Sequence, residues 1–184
     1  MSNDYRRQNP NHPGVEPSEF IRIDHNSIPP DMELTFPGGK LHGVTITEAQ
    51  LHYHGSVTID AELLEEAGLL PMEFVNIWSK SSMARISTYI VPGTRGSGII
   101  CLNGGAARFF QVGDEAVITS ERRIRMKDLS AYKTKIVTFH PRHEANTDCC
   151  VYNRIWEVMS YELVKAHEGW RFELMSLEKR PLLK

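Results

Sequence analysis

Short runs of β-branched and aromatic residues, separated by turn residues, fill residues 32–117 and constrain the fold more than any other feature. In chain order they read LHGVTI, SVTI, EFVNIW, RISTYIV and GIICL. Such side chains pack well on a pleated, half-buried surface, and the Gly, Pro and Asn residues between them favour turns. Many short strands with few helices favour a small closed barrel over an open parallel sheet. We therefore predict a mainly β fold.

Two short helices are expected to interrupt these strands. The first would begin at Thr47, whose hydroxyl can cap it, with Gln50 three residues later at the capping-box spacing. The second has the sequence AELLEEA, with Asp60 as its candidate N-cap and Gly68 as its stop signal.

The two ends of the chain differ from its centre. Residues 1–31 hold five of the ten prolines, which fix φ and lack an N–H group, so we predict a flexible or loosely docked N-terminal extension. After the strand-like run KIVTF, residues 152–167 repeat apolar side chains at helical spacing and predict an amphipathic helix, and the following WRFEL alternates like a strand. We therefore expect a barrel over residues 32–140 and a C-terminal extension, residues 141–184, packed on it.

Composition argues against several classes of protein. The hydrophobic fraction of 41% suffices for one core, and a net charge of -2 gives no basic excess for nucleic-acid binding. We find no apolar run long enough for a membrane span and no signal peptide, so we expect a soluble, cytoplasmic protein. Cys101, Cys149 and Cys150 form no CxxC pair and are interpreted as ordinary thiols.

The dipeptide Gly55-Ser56 lies where a short helical pattern breaks off and a strand-like run begins. Because glycine tolerates positive φ, a sharp turn here would let the Ser56 hydroxyl approach the Gly55 carbonyl carbon. Attack would move the chain from nitrogen to oxygen as an ester. Loss of that ester by β-elimination leaves dehydroalanine, which hydrolyses to a pyruvoyl group. A Gly-Ser pair by itself is far more often an ordinary turn.

Three other motifs have plainer interpretations. The segment GTRGSG lacks the strand and helix context of a dinucleotide-binding loop and is interpreted as a tight turn. The segment HPRH and the nearby adjacent cysteines fit no standard zinc spacing, so we predict no metal site. The segment RRIRMK is interpreted as a solvated basic stretch.

The motifs around Gly55-Ser56 resemble the pyruvoyl-dependent L-aspartate 1-decarboxylase family. They are GKLH, LHYxGS and the run RISTY, followed by RGSG and NGGAA, in the family's order and nearly its spacing. The resemblance covers about residues 32–118. It implies a six-stranded double-psi β-barrel that cuts itself between Gly55 and Ser56 and carries a covalent pyruvoyl group derived from Ser56, with no metal. It also implies a homotetramer, with pockets at subunit boundaries, and a possible separate maturation factor.

The resemblance also implies roles for individual residues. Ser56 supplies the nucleophile, Thr88 assists cleavage by hydrogen bonding the Gly55 carbonyl, and Tyr89 donates a proton after carbon dioxide leaves. A further group would bind the substrate and bound its pocket: Lys40, Arg85, Tyr53, Asn103, Gly104, Gly105 and Ala106.

These residue types suit the implied chemistry. A pyruvoyl carbonyl can form a Schiff base with an amine and accept the electrons released with carbon dioxide, as pyridoxal phosphate does elsewhere. Arg85 offers a planar fork for a carboxylate, and Lys40 offers a point charge. Tyrosine keeps its proton near neutral pH and can donate it to a carbanion.

The run RISTY contains a geometric conflict. Arg85, Ser87 and Tyr89 alternate, so a regular strand puts them on one face and Thr88 on the other. If Thr88 and Tyr89 act at one centre, we expect a bulge or a neighbouring subunit to supply one of them.

The function predicted by the resemblance is conversion of L-aspartate to β-alanine and carbon dioxide, which in the family feeds pantothenate and coenzyme A synthesis. The two extensions depart from the family pattern. A decarboxylase of a related amino acid, such as glutamate or a methylated aspartate, is therefore an alternative. A non-catalytic barrel paralogue that serves as a binding or scaffold subunit is the alternative from another class.

Overall fold

Ten strands, one α-helix and two 3₁₀ helices make up the computed structural model, which describes residues 28–139, 153, 155–166 and 169–181. The strands are β1 (Glu33–Thr45), β2 (Glu48–Gln50), β3 (Ser56–Asp60), β4 (Phe74–Ser79), β5 (Arg85–Gly93), β6 (Ile100–Asn103), β7 (Glu115–Arg125), β8 (Lys133–Phe139), β9 (Ile155–Ala166) and β10 (Gly169–Pro181). The helix α1 spans Ala61–Ala67, and the 3₁₀ helices span Gly104–Arg108 and Met126–Ala131. The prediction of a mainly β fold is confirmed.

The strands hydrogen bond in the order β10-β9-β8-β1-β7-β4-β5-β3-β6-β2. Three pairs are parallel, namely β1 with β8, β3 with β5, and β2 with β6, and the other pairs are antiparallel. Their shared apolar faces form one core, whose fully buried members include Leu41, Val44, Val57, Ile59, Ile77, Ile90, Ile100, Leu102 and Ile118. Strands β3, β5 and β6, which carry Ser56, the run RISTY and Asn103, contribute side chains to this core.

Helix α1 forms as predicted from its capping residues. The Asp60 carboxylate accepts a hydrogen bond from the Glu62 backbone N–H at 2.8 Å, and Gly68 ends the helix in the left-handed conformation at φ 69°. Leu63 and Leu64 are buried on the face that packs against the core.

The helix predicted to begin at Thr47 is absent, because residues Glu48–Gln50 form strand β2 instead. The Thr47 hydroxyl accepts from the Ile100 backbone N–H at 2.9 Å and donates to the Ile100 carbonyl at 3.1 Å. The hydroxyl that could have capped a helix is thus used to join β2 to β6, and the capping-box interpretation was wrong.

The predicted C-terminal helix over residues 152–167 was also wrong, because Ile155–Ala166 is strand β9. This strand pairs antiparallel with β8 on one side and with β10 on the other. Trp156, Val158 and Met159 are buried, and the Trp156 ring lies 6.1 Å from that of Phe139. The segment forms a strand because the edge of β8 offers it hydrogen bonds, although its apolar spacing also fits a helix. The predicted strand WRFEL does lie within β10.

Two segments that were given plain interpretations behave largely as predicted. GTRGSG forms the turn between β5 and β6, with Gly96 and Gly98 at positive φ. RRIRMK runs through the end of β7, a strand that the sequence did not predict, and its charged side chains are exposed except for Arg122. The Arg122 guanidinium donates to the Gly68 carbonyl at 2.7 Å.

Both ends of the described core carry tertiary contacts from the predicted extensions. Asp31, the last residue of the predicted N-terminal extension, forms an ion pair with Lys127 at 2.6 Å. Asn153 is buried, donates to the carbonyls of Thr45 and Gly98 at 2.8 and 3.0 Å, and accepts from the Thr45 N–H at 2.8 Å. None of the helices in the described ranges has the length and apolar character needed to span a membrane.

Candidate active site

Ser56 is the first residue of β3 and is completely buried. It is registered with Asn103 in the antiparallel pair of β3 and β6, and the next residue, Val57, is registered with Ile90 in the parallel pair of β3 and β5. Ser56 therefore enters the core directly from the exposed segment 51–55 that precedes it. A hydroxyl in this position is shielded from bulk water while the residue before it remains accessible.

The Asn103 side chain organises the surroundings of Ser56. Its Nδ2 group donates to the Ser56 Oγ and to the Thr58 Oγ1, both at 2.9 Å. Its Oδ1 accepts from the Cys101 Sγ at 3.3 Å. All four side chains lie on β3 and β6, so the pairing of these two strands creates the cluster.

Gly104 lies tightly against the chain just before Ser56. It has φ +67°, and an added Cβ would lie 2.8 Å from the Tyr53 carbonyl oxygen and 3.0 Å from the Gly55 nitrogen and Cα. Both observations require glycine, because an L side chain resists this φ and these backbone atoms would have to move. The NGG segment therefore supports the cleavage-site chain by close backbone contact.

Gly55 does not use the positive φ that glycine permits, and an added Cβ there would meet nothing within 4 Å. The residue with positive φ beside it is Gly104, on the opposing segment. The Tyr53 side chain is 57% exposed, and its ring makes an edge contact with His54.

Strand β5 excludes one of the two explanations offered for the conflict in RISTY, a β-bulge. Its pairing with β4 is continuous from Arg85 opposite Trp78 to Tyr89 opposite Phe74, so the expected bulge is not there. Arg85 and Ser87 are exposed and Tyr89 is half-buried on one face, whereas Thr88 lies on the other face with Ile90. A neighbouring subunit is therefore the remaining prediction for how Thr88 and Tyr89 act at one centre.

Aromatic side chains of β4 contact two side chains on the exposed face of β5. The Arg85 guanidinium carbon lies 5.0 Å from the centre of the Trp78 ring, a cation–π distance. The Tyr89 ring lies 6.2 Å from that of Phe74, which is 68% exposed. These contacts place the Arg85 guanidinium and the Tyr89 ring on the same outer face of β5, four residues apart.

Lys40 is positioned by an irregularity in β1. The register of β1 with β7 shifts between Pro37 and Lys40, at a pair of buried glycines. An added Cβ on Gly39 would lie 2.2 Å from the carbonyl oxygen of Ala67, so glycine permits the close approach of α1. Burial lowers the pKa of Lys40, and burial, with the nearby charge of Lys40 second, lowers the pKa of His42.

The structure thus brings together only part of the predicted site within one protomer. Ser56, Asn103 and Gly104 cluster, with Gly55 and Tyr53 in backbone contact. Arg85 and Tyr89 lie on the outer face of β5, and Lys40 lies on β1, which β7, β4 and β5 separate from β3 in the sheet order. Thr88 faces the interior, Gly105 is exposed and Ala106 is packed partly against the core.

Sequence reasoning missed Thr58 and Cys101. Both were detectable in principle, because Ser56 and Thr58 are two apart in one predicted strand, and Asn103 directly follows the predicted run GIICL, two residues after Cys101; residues two apart in a strand share a face. The sequence did not reveal that these two strands pair with each other. The candidate metal ligands of the HPRH segment lie outside the described residues.

Comparison with known proteins identifies the family. The family model described as Aspartate decarboxylase matches residues 32–146. The chain is 44% identical to aspartate 1-decarboxylase of Xanthobacter autotrophicus over 131 residues, which is 71% of this chain and 81% of that protein. It is 44% identical to the enzyme of that name from Beijerinckia indica over 74% of this chain and 85% of that protein. For the Bacillus subtilis protein of that name the identity is 43%, over 61% of this chain and 89% of that protein. With Gly55 and Ser56 inside the matched region, the chain belongs to the aspartate decarboxylase family.

Proposed function

We propose that this protein is a self-processing, pyruvoyl-dependent decarboxylase that converts L-aspartate to β-alanine and carbon dioxide. The observation that carries the proposal is a fully buried Ser56 that follows an exposed Gly55 and has its Oγ hydrogen bonded by Asn103. Family membership supports the same reaction.

Maturation begins with Ser56. Its Oγ bonds to the Gly55 carbonyl carbon, the peptide C–N bond breaks, and the hydroxyl proton passes to the released amine. β-Elimination then transfers the Ser56 Cα proton to water, breaks the Cβ–Oγ bond and releases Gly55 as a carboxylate. Water hydrolyses the remaining dehydroalanine to pyruvoyl and ammonia. Thr88 is our candidate for hydrogen bonding the Gly55 carbonyl during the first step.

The surroundings of Ser56 fit a pyruvoyl group. Asn103 places an amide N–H donor beside residue 56, and the keto oxygen of a pyruvoyl group, which would replace the Ser56 nitrogen, is a hydrogen-bond acceptor. The group would supply an electron-accepting carbonyl for the substrate amine. Burial of this position limits its contact with bulk water.

Fixed positive charge would bind the dicarboxylate substrate. Arg85 presents its fork on the outer face of β5, held over Trp78, and Lys40 supplies a second charge from β1. Tyr89, on the same face as Arg85, is our candidate for donating the proton that replaces the departing carboxylate. The pocket would be bounded by Tyr53 and the NGGAA segment.

We further infer that the site is completed between subunits of a homotetramer. The exposed side chains of Arg85 and Phe74 form part of a face that carries Tyr89 but not Thr88. A neighbouring copy that covers this face would bring Tyr89 of one subunit to the Ser56 region of another.

Within the mainly β fold, we propose that residues 32–140 form a six-stranded double-psi barrel with residues 141–184 packed on it. The mixture of parallel and antiparallel pairs supports the barrel, and the pairing of β9 with β8 supports the packing.

Intact-mass spectrometry of the purified protein tests the self-processing. We expect two fragments, residues 1–55 and residues 56–184, the second with a pyruvoyl N-terminus, and one uncut chain for Ser56→Ala. An uncut wild-type chain after prolonged incubation would instead support a non-catalytic barrel.

Carbon dioxide release tests the substrate. We expect the processed protein to decarboxylate L-aspartate in preference to L-glutamate and to methylated aspartate, and the uncut Ser56→Ala protein to release none. Processing without decarboxylation of any of the three amino acids would contradict the proposed reaction while leaving the self-cleavage intact.

A further inference from the structure

Three of the four hydrogen-bonding positions of the Asn103 amide are occupied by side chains. Two N–H bonds point to the hydroxyls of Ser56 and Thr58, and the carbonyl oxygen faces the Cys101 thiol. Asn103 and Cys101 are each 3% exposed, so bulk water does not compete for these positions. The orientation of this amide is therefore set by three protein groups.

Only one of those three groups distinguishes the two possible orientations of the amide. The hydroxyls of Ser56 and Thr58 can each donate or accept, so they tolerate either an N–H or an oxygen opposite them. A thiol is a donor whose sulfur is a poor acceptor, so it favours the amide oxygen as its neighbour. Burial raises the pKa of Cys101, which keeps the thiol protonated and able to donate.

We propose that Cys101 is a positioning residue for self-cleavage, whose thiol holds the Asn103 amide in the orientation that donates an N–H to the Ser56 Oγ. The inference rests on the proposed function and adds a residue that the family resemblance did not mark. It acts through Asn103, and the Sγ contact that carries it is 3.3 Å long.

The orientation matters because negative charge develops on the Ser56 Oγ twice. It develops first when the hydroxyl proton leaves and Oγ bonds to the Gly55 carbonyl carbon as the C–N bond breaks. It develops again when the Cβ–Oγ bond breaks and Gly55 departs as a carboxylate. A donor already aimed at Oγ stabilises that charge at both steps. A reversed amide would instead accept a hydrogen bond from the Ser56 hydroxyl and offer no donor to the developing charge.

Three substitutions in the full-length chain separate hydrogen bonding from packing. Cys101→Ser keeps a donor, Cys101→Val keeps the volume without a donor, and Cys101→Ala removes both. Cleavage is followed on denaturing gels after cell-free synthesis, when the precursor is still intact. We expect Cys101→Ser to cleave within about twofold of wild type, and the Ala and Val variants to be slower by roughly two- to twelvefold, the range for one neutral hydrogen bond.

The pH dependence gives a readout that packing would not change. As pH rises through the raised pKa of Cys101, the thiolate can no longer donate and instead favours the reversed amide. The cleavage rate of wild type relative to Cys101→Ser should therefore fall as pH rises above about 8.5, the ordinary cysteine pKa, because serine does not ionise there. The charge of Glu48, which also raises the pKa of Cys101, and the charge of Lys40 act in both proteins and cancel in the ratio.

The proposal is overturned by a ratio that stays constant with pH, by Cys101→Val cleaving at the wild-type rate, or by Cys101→Ser being as slow as Cys101→Ala. Thermal unfolding of each variant combined with Ser56→Ala reports on folding of the uncut chain. If a variant fails to fold, the pH comparison of wild type with Cys101→Ser decides alone. A wild-type chain that never cleaves would instead contradict the proposed function itself.

Discussion

Substitution of Gly104 by alanine should slow self-cleavage through a contact that no other glycine in the site makes. Gly104 combines φ +67° with backbone atoms of Tyr53 and Gly55 at 2.8 to 3.0 Å from where a Cβ would lie. The added methyl group cannot move aside, because both its direction and its neighbours are fixed by the backbone. The segment that carries the scissile bond has to move instead.

The substitution affects both folding stability and cleavage rate. Placing alanine in the left-handed region lowers the free energy of unfolding by about 1–2 kcal/mol. To restore ordinary contact at 3.4 Å, the Tyr53 carbonyl oxygen has to retreat by about 0.6 Å. Misplacement of reacting groups by about 1 Å can cost on the order of a hundredfold in rate. We therefore expect cleavage of Gly104→Ala to be slower by about ten- to a hundredfold.

Gly68→Ala is the matched control for this experiment. Gly68 has nearly the same φ, +69°, but an added Cβ there would meet nothing within 4 Å. Both variants should lower the melting temperature of the uncut Ser56→Ala chain, by about 2–8 °C for the cost of the φ alone. Only Gly104→Ala should slow cleavage on denaturing gels. Equal cleavage rates for the two variants would refute the contact argument.

Three further predictions concern stability and pH. Asn153→Ala removes three hydrogen bonds, made by one buried side chain, that join Thr45 to Gly98, so we expect denaturant titration to show a loss of about 2–4 kcal/mol. A fully stable Asn153→Gly, which relieves the φ of 55°, would contradict this. The Asp60 carboxylate accepts hydrogen bonds from three backbone N–H groups, and Asp60→Asn places an N–H donor against at least one of them. Thermal melts should show that the free energy of unfolding falls by about 1–3 kcal/mol. An unchanged melting temperature would contradict this. Burial lowers the pKa of Lys40, so the side chain loses its charge as pH rises through that lowered pKa. KM for aspartate should therefore rise over this pH range in the wild type. It should not rise in Lys40→Arg, because arginine stays charged. Since the unfolded chain keeps this proton to higher pH, the contribution of Lys40 to folding stability should increase with pH between its folded and unfolded pKa values.

Most of the strands and helix α1 could be predicted because their signals are local, whereas β7 was not predicted. β-Branched runs bounded by turn residues mark β3, β4, β5 and β6, and Asp60 and Gly68 mark both ends of α1. Where local signals allowed two structures, the prediction failed. The capping-box spacing at Thr47 and the apolar spacing of residues 152–167 each fit a helix, but the edges of β6 and β8 offered hydrogen bonds to a strand.

For the candidate site, the sequence by itself determined the reacting bond, since Gly55 and Ser56 are neighbours in the chain, and the side chains that accompany it in family motifs. It also determined that Thr88 and Tyr89 point to opposite faces, because alternation follows from strand geometry alone. The tertiary structure decided that no bulge reconciles them and that the left-handed glycine at the cleavage turn is Gly104. It alone decided that Asn103, 47 residues away, donates to Ser56. The physical reason is that the tendency to form a strand depends on the residues of that segment. Its partner strand and register depend on how distant segments bury their apolar faces together.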